Sequence, residues 1–237
     1  RHSRPGYGLI LQGGSIGVLY LTLFAAARLY SLIPLPLTFG LMVGLVVLSG
    51  ALAVLQDSKS LAAFGAAGGF LAPVLTSTGR GSHVMLFSYY ALLNAGVLQV
   101  AWFKAWRPLN LLGFIFTFVI GAGWGYRYYR PEYFNTTEPF LILFFLFFVA
   151  ISVLFALRRP PRLRGYVDGT LVFGLPIVVF ALQVRLVENF EYGLAISALV
   201  LSGFYVLLAT LLWRRKAEGM RMLTEAFLAL GVVFGSL

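Results

Sequence analysis

The sequence predicts an all-α bundle of about nine membrane-spanning helices. Three features carry this prediction: the composition, the spacing of the apolar runs and the placement of charge between them. Of the 237 residues, 60% are hydrophobic and 11% are charged, whereas a soluble domain is about 45–50% apolar and about 25% charged. Because so few charges could not cover a water-facing surface, the composition excludes a soluble globular fold. The absence of cysteine excludes disulfides, thiolate nucleophiles and cysteine-ligated metals.

Nine apolar runs reach or approach the length of a membrane helix, which needs about 20 mainly apolar residues to cross the hydrocarbon. They cover residues 8–30, 35–55, 61–78, 83–103, 108–126, 137–157, 166–187, 191–213 and 221–237. Prolines, glycines and charged clusters separate them, as in loops. We expect one transmembrane region over residues 1–237. Since the chain starts at an arginine and stops within an apolar run, we expect it to be a segment of a longer membrane protein.

The third and seventh runs are expected to be irregular because each contains a proline. Pro73 and Pro176 each remove one backbone donor and leave a carbonyl that neighbouring groups must satisfy. The third run is also rich in glycine, so a re-entrant segment buried in protein is an alternative to a full crossing. Pro139 differs, because it follows Thr137 and Glu138 in the predicted first helical turn, where a missing N–H costs nothing.

Loop charges favour nine crossings with a cytoplasmic N-terminus. Nine crossings place thirteen of the 18 Lys and Arg residues on the N-terminal side and five on the other. If the third run does not cross, the split falls to eleven against seven. Cytoplasmic loops are enriched in Lys and Arg, so the larger asymmetry is favoured. The net charge of +10 is then explained mainly by topology, and no nucleic-acid partner is expected.

Five pairs of glycines four residues apart predict faces for close helix packing. They are Gly13/Gly17, Gly40/Gly44, Gly65/Gly69, Gly121/Gly125 and Gly231/Gly235. Helices in lipid gain little from apolar burial against each other, so close backbone approach carries more weight. A phosphate-binding loop is the alternative for residues 12–17, but the G-x-G-x-x-G spacing and a preceding strand are missing.

Seven polar or basic residues are candidates for a ligand site, because such groups at membrane depth are costly and often functional. They are Arg80, His83, Asn94, Gln99, Arg127, Arg130 and Arg185. Arg80 and His83 belong to a turn of glycines and hydroxyls that suits an anion, with a plain connecting turn as the alternative. Arg127 and Arg130 lie among four tyrosines on the same predicted side, a surface suited to a sugar, a phosphate or an anionic headgroup.

Each remaining candidate also has a structural interpretation. Aromatic belts at the membrane interface explain the tyrosines around Arg127 and Arg130. Arg185, near the end of its span, can extend to the headgroups. Interhelical hydrogen bonds explain Asn94 and Gln99 as well as a ligand does, and the same holds for Gln12 and Gln183 in other spans.

Enzymatic chemistry is less favoured than a non-catalytic role. His2 and His83 fall at opposite ends of the predicted topology, so they cannot share a metal, and neither a metal nor a cofactor is expected. The motifs H-E-x-x-H and G-x-S-x-G are missing. A membrane-embedded transferase could use Glu138 or Asp168 as a base, but both residues are also explained by their place at the start of a helix.

Several strings in the chain resemble the domain of unknown function 2339 family, a group of large bacterial predicted membrane proteins. They are LQGG at 11–14, GGFLAPVL at 68–75, SYYALLN at 88–94, WRPLNLLGF at 106–114, TEPF at 137–140 and YVDGTLVFG at 166–174. The resemblance implies a multi-pass protein of the bacterial inner membrane that is longer than this chain. It implies no activity, substrate or catalytic residue.

Two functions from different classes fit these features. The first is transport or translocation of an anionic or lipid-linked envelope component. Arg80, Arg127 and Arg130 would lie at the outer opening of the transport pathway, and Asn94 and Gln99 would line its interior. The second is a membrane scaffold that binds protein partners through its glycine faces. The expected partners are membrane lipid, the remaining helices of the parent protein and, for the scaffold, other proteins.

Overall fold

The computed structural model describes residues 5–76, 82–104, 106–158, 170–214 and 221–237. Within these ranges the chain forms nine α-helices and no β-strand, which confirms the all-α prediction. In chain order they are α1 (Pro5–Phe24), α2 (Leu35–Leu55), α3 (Lys59–Thr76), α4 (His83–Phe103), α5 (Arg107–Tyr128), α6 (Phe134–Arg158), α7 (Leu175–Leu186), α8 (Gly193–Arg214) and α9 (Arg221–Gly235). Each helix corresponds to one of the nine apolar runs.

Five of the described helical segments are long and apolar enough to cross a membrane, judged by length and composition. They are Pro36–Leu55, His83–Phe103, Arg107–Tyr128, Pro131–Leu157 and Gly193–Arg214. Three shorter apolar helices cover Leu11–Ala27, Lys59–Leu75 and Leu171–Leu186. The chain therefore carries several membrane spans, and the count of nine crossings remains a prediction.

The helices form two compact units. Unit 1 comprises residues 1–100 and 108–117, and unit 2 comprises residues 101–107 and 118–237. Helix α5 contributes its first half to unit 1 and its second half to unit 2.

Unit 1 is organised around the glycine face of α3. A Cβ atom added at Gly65 would collide with the Ser49 side chain of α2, and one added at Gly69 would lie 2.6 Å from Val46 Cγ2 of the same helix. A Cβ atom added at Gly68 would likewise collide with the ring of Tyr20 from α1. These contacts confirm the packing role predicted for the Gly65/Gly69 pair, because a side chain there would push α3 away from its neighbours.

Unit 2 contains a second close approach, between α8 and α9. A Cβ atom added at Gly231 would lie 2.7 Å from Val206 Cγ2, and one added at Gly235 would lie 2.9 Å from Ser202 Oγ. The Ser202 hydroxyl also donates a hydrogen bond to the Gly231 carbonyl, at 2.7 Å. The Gly231/Gly235 pair is thus confirmed as a packing face. The buried ring of Tyr205 packs beside it.

The packing prediction is wrong for two pairs of glycines. A Cβ atom added at Gly40, Gly44, Gly121 or Gly125 would meet nothing within 4 Å in the structure. In the Gly13/Gly17 pair only one glycine packs against a neighbour: Gly13 faces the ring of Phe64, whereas Gly17 faces open space. Spacing alone places two glycines on one side of a helix, but it does not say that a neighbour covers that side.

The tyrosines of α4 satisfy two carbonyls of α3 next to Pro73. Because proline lacks an N–H, the carbonyl four residues earlier, that of Gly69, loses its helical partner. The Tyr89 hydroxyl donates to the Gly69 carbonyl at 2.8 Å, and the Tyr90 hydroxyl donates to the neighbouring Phe70 carbonyl at 3.0 Å. Helix α3 therefore continues through its proline, and the predicted need for a neighbouring donor is confirmed.

The seventh run is irregular next to its proline, as predicted: a π-helical turn at Thr170–Gly174 directly precedes α7, in which Pro176 occupies the second position. The setting of Pro139 differs from the prediction. Helix α6 begins at Phe134, directly after a 3₁₀ turn at Pro131–Tyr133. Pro139 therefore lies in the second turn, and the expected place of Glu138 at the helix start is wrong.

Candidate functional site

The polar candidates of α4 do not form one site. Asn94 is fully buried, and its Nδ2 donates to Thr117 Oγ1 of α5 at 2.8 Å and to the Tyr90 carbonyl at 2.9 Å. Gly113 of α5 lies opposite Asn94, which lets the two helices approach. Gln99, by contrast, is exposed on another side of α4. The contacts of Asn94 support its interpretation as an interhelical hydrogen-bonding residue.

The predicted anion-binding turn falls mostly outside the described residues. Arg80 belongs to residues 77–81, which lie beyond those ranges. His83 begins α4 and is half-buried. Its ring meets the ring of Phe87 edge-on, with centroids 6.4 Å apart.

The end of α5 and the turn after it carry Tyr126, Arg127, Tyr128 and Arg130, which we call the Arg/Tyr rim. All four side chains are exposed, and Tyr126 is 91% exposed. Beside them the rings of Trp124 and Tyr133 lie 6.4 Å apart. Guanidinium groups bind phosphate through paired hydrogen bonds, so a binding role of the rim stays a prediction that these exposed side chains permit.

Arg185 has a local explanation. Its guanidinium lies 3.5 Å from the Glu188 carboxylate, one helical turn on, and both side chains are well exposed. Such surface pairs contribute only about 0–1 kcal/mol. Arg185 therefore fits an interfacial ion pair and does not join the Arg/Tyr rim through any contact described here.

A polar network connects α6, α7 and α8. The amide nitrogen of Gln183, a residue that is 8% exposed, donates to Glu138 Oε1 at 2.7 Å and to Ser197 Oγ at 3.2 Å. The Ser197 hydroxyl in turn donates to the Gly193 carbonyl at 2.7 Å. We call these three side chains, Glu138, Gln183 and Ser197, the α6–α8 network.

Two oxygen atoms at the α6 end of the network are buried and have no hydrogen-bond partner among the described residues. They are Glu138 Oε2 and Thr137 Oγ1. An unsatisfied buried acceptor is costly, and more so for a carboxylate than for a neutral group. At this end of the network, these two atoms are therefore the positions where a bound group would improve the hydrogen bonding.

Tyr129 connects the network to the Arg/Tyr rim. It lies between Tyr128 and Arg130 in the chain, and its hydroxyl donates to the Leu186 carbonyl of α7 at 3.1 Å, one turn beyond Gln183. Burial raises the pKa of the Tyr129 phenol, and the negative charge of Glu138 raises it further. The hydrogen bond of Tyr129 to α7 links the chain segment of the rim to the helix that carries Gln183.

Sequence reasoning found the members of the α6–α8 network separately and missed their association. The sequence offers an interhelical hydrogen bond or a ligand for Gln183 and a place at the helix start for Glu138. Ser197 gave no signal, because a single serine in an apolar helix commonly bonds to its own backbone. As for metals, no three His, Asp or Glu side chains come together as a possible cation site in the part of the chain that the structure describes.

The comparisons with known proteins identify a family and nothing finer. No curated protein and no solved structure matches the chain. Residues 1–237, the whole chain, match the family described as predicted membrane protein DUF2339. This full-length match shows that the chain belongs to the DUF2339 family of predicted membrane proteins, as its sequence motifs implied.

Proposed function

We propose that this chain is a transport or translocation module of the bacterial inner membrane for an anionic or lipid-linked envelope component. One observation carries the proposal: a hydrogen-bonded network with a half-buried carboxyl group, whose Oε2 is buried, joins three apolar helices. Tyr129, which precedes the exposed Arg130 in the chain, bonds to one of these helices. Ionisable groups among membrane helices are costly and commonly mark a pathway for a substrate or an ion.

The rim and the network suit different parts of such a ligand. Arg127 and Arg130 suit a phosphate or pyrophosphate, because guanidinium groups make charge-assisted hydrogen bonds with it. Glu138 Oε2 accepts hydrogen bonds and has no donor among the described residues, so it suits a hydroxyl group. The proposed orientation, with a cytoplasmic N-terminus, places the rim on the outer side of the membrane.

A membrane scaffold is the second candidate. The glycine pairs at residues 65/69 and 231/235 pack inside the chain, which removes them as docking faces. Only the pairs 40/44 and 121/125 remain open, and they are the observation that favours this role. A stoichiometric protein partner lost on Gly121→Leu substitution would support it.

The transport proposal predicts that anion binding depends on the rim. In inner-membrane vesicles, Arg127→Ala with Arg130→Ala is expected to reduce photo-crosslinking to a diazirine-labelled polyprenyl phosphate about tenfold or more. Hydrogen bonds to charged groups contribute about 1.5–3 kcal/mol each, and about 1.4 kcal/mol corresponds to a factor of ten.

Arg185→Ala is the matched control, since it removes one exposed arginine of the same unit that already pairs with Glu188. It is expected to change the crosslinking less than twofold. Equal crosslinking by the wild type and the double variant would reject the rim as a binding surface.

A further inference from the structure

The hydrogen-bond donors of the α6–α8 network are fully committed. Both hydrogens of the Gln183 amide are used, one toward Glu138 Oε1 and one toward Ser197 Oγ. The hydroxyl hydrogen of Ser197 goes to the Gly193 carbonyl. None of these groups has a hydrogen left for Glu138 Oε2, although this oxygen is buried. Something other than these network donors must therefore neutralise it or bond to it.

Among the residues that the structure describes, no cation forms an ion pair with Glu138. Its hydrogen-bond donor is the Gln183 amide of α7, which also bonds Ser197 of α8, and its charge is felt by the Tyr129 phenol; all three groups are neutral. The nearest charged residues of α7 and the turn after it, Arg185 and Glu188, pair with each other at the surface. A carboxylate in this setting would be an uncompensated charge within apolar helices, which is expensive.

We propose that Glu138 is a proton-exchange site, whose Oε2 binds one proton in one state of the protein and releases it in another. On release, the Oε2–H bond breaks, the electron pair stays on the carboxylate, and the proton passes to water at the rim end of the helices. Gln183 then holds the carboxylate through Oε1. Because Gln183 also bonds Ser197, loss or gain of this proton alters the hydrogen bonding among α6, α7 and α8. The site does not depend on anion binding at the rim, so each can fail without the other.

Carbodiimide labelling tests the proposal directly. Dicyclohexylcarbodiimide reacts with protonated carboxyl groups in apolar surroundings. In membrane vesicles that contain the intact protein, we expect Glu138 to be labelled in mildly acidic buffer and several-fold less in mildly alkaline buffer. The exposed carboxylates Glu132 and Glu188 are internal controls, with little label throughout. Labelling of Glu138 that does not change with pH would overturn the proposal.

Two variants keep the test decisive. Gln183→Leu removes the donor that stabilises the ionised carboxylate, so the labelling of Glu138 should persist to higher pH. Glu138→Gln imitates the protonated carboxyl group, so its Tm should match the wild-type Tm in acidic buffer and exceed it increasingly as the pH rises. Glu132→Gln, at an exposed position, should follow the wild type. A Tm difference between wild type and Glu138→Gln that is constant with pH would overturn the proposal, even if the carbodiimide cannot reach Glu138.

Discussion

Substitution of Gly68 by alanine is expected to lower the free energy of unfolding by about 1–3 kcal/mol, the usual effect of overpacking a well-packed core. The added methyl group would collide with the ring of Tyr20, which is 5% exposed and has little room to move. Displacement of the ring would also weaken the contacts of its hydroxyl with the Met42 and Gly65 carbonyls, each at 3.4 Å. Reversible unfolding in mixed micelles with increasing sodium dodecyl sulfate measures the change.

The same helical bundle provides matched controls for Gly68. Gly40 and Gly44 lie in α2, where an added Cβ atom meets nothing within 4 Å. Gly40→Ala and Gly44→Ala are expected to leave stability unchanged or to raise it by up to about 1 kcal/mol, through helix propensity alone. Losses of similar size at Gly68 and at these two positions would contradict the packing of α3 described above.

Tyr89→Phe is expected to destabilise the protein by about 1–3 kcal/mol. The substitution removes one hydroxyl group and leaves the ring in place. The Gly69 carbonyl would lose its donor, and Pro73 cannot replace it, because a proline has no N–H. Leaving a buried acceptor without a partner accounts for the magnitude. The unfolding titration described for Gly68 measures the loss.

A double-mutant cycle with Pro73 isolates the physical cause. Pro73→Ala restores an N–H group that can bond to the Gly69 carbonyl within the helix. In that background the cost of Tyr89→Phe should fall close to zero, so the two substitutions should show a coupling energy of about 1 kcal/mol or more. Equal costs of Tyr89→Phe in both backgrounds would show that the hydroxyl does not compensate for the proline.

The helices were predictable because hydrophobicity along the chain is a local property. Nine apolar runs correspond in order to nine described helices. The packing was predictable only in part, since it depends on which neighbour covers each face. Gly65/Gly69 and Gly40/Gly44 have the same spacing, yet only the first pair is covered.

The candidate site was less predictable than the fold. Glu138 and Gln183 are 45 residues apart in the chain, and nothing in a single sequence indicates that two such residues meet. The apparent helix start at Thr137 was misleading, because the 3₁₀ turn Pro131–Tyr133 allows α6 to begin earlier, at Phe134. Once Glu138 lies in the second turn, its place at the helix start no longer explains it.

Three of the arginines that nine crossings place on the outer side, Arg127, Arg130 and Arg185, fall into two kinds in the structure. Arg185 has a partner in Glu188, whereas Arg127 and Arg130 are exposed beside aromatic rings and next to Tyr129. The pattern of charge in the sequence could not make this distinction, because it depends on which acidic side chains come within reach. The functional proposal therefore rests on Arg127, Arg130 and the α6–α8 network.

The central claim is that the Arg/Tyr rim and the α6–α8 network bind an anionic or lipid-linked component. An experimental density map of the intact protein in native-lipid nanodiscs tests it most directly. The proposal predicts elongated non-protein density with its head at Arg127 and Arg130 and a polar extension toward Glu138. Density of this shape should weaken in the Arg127→Ala, Arg130→Ala double variant. A map in which protein side chains fill this region, with both guanidinium groups paired to acidic residues of the protein itself, would contradict it.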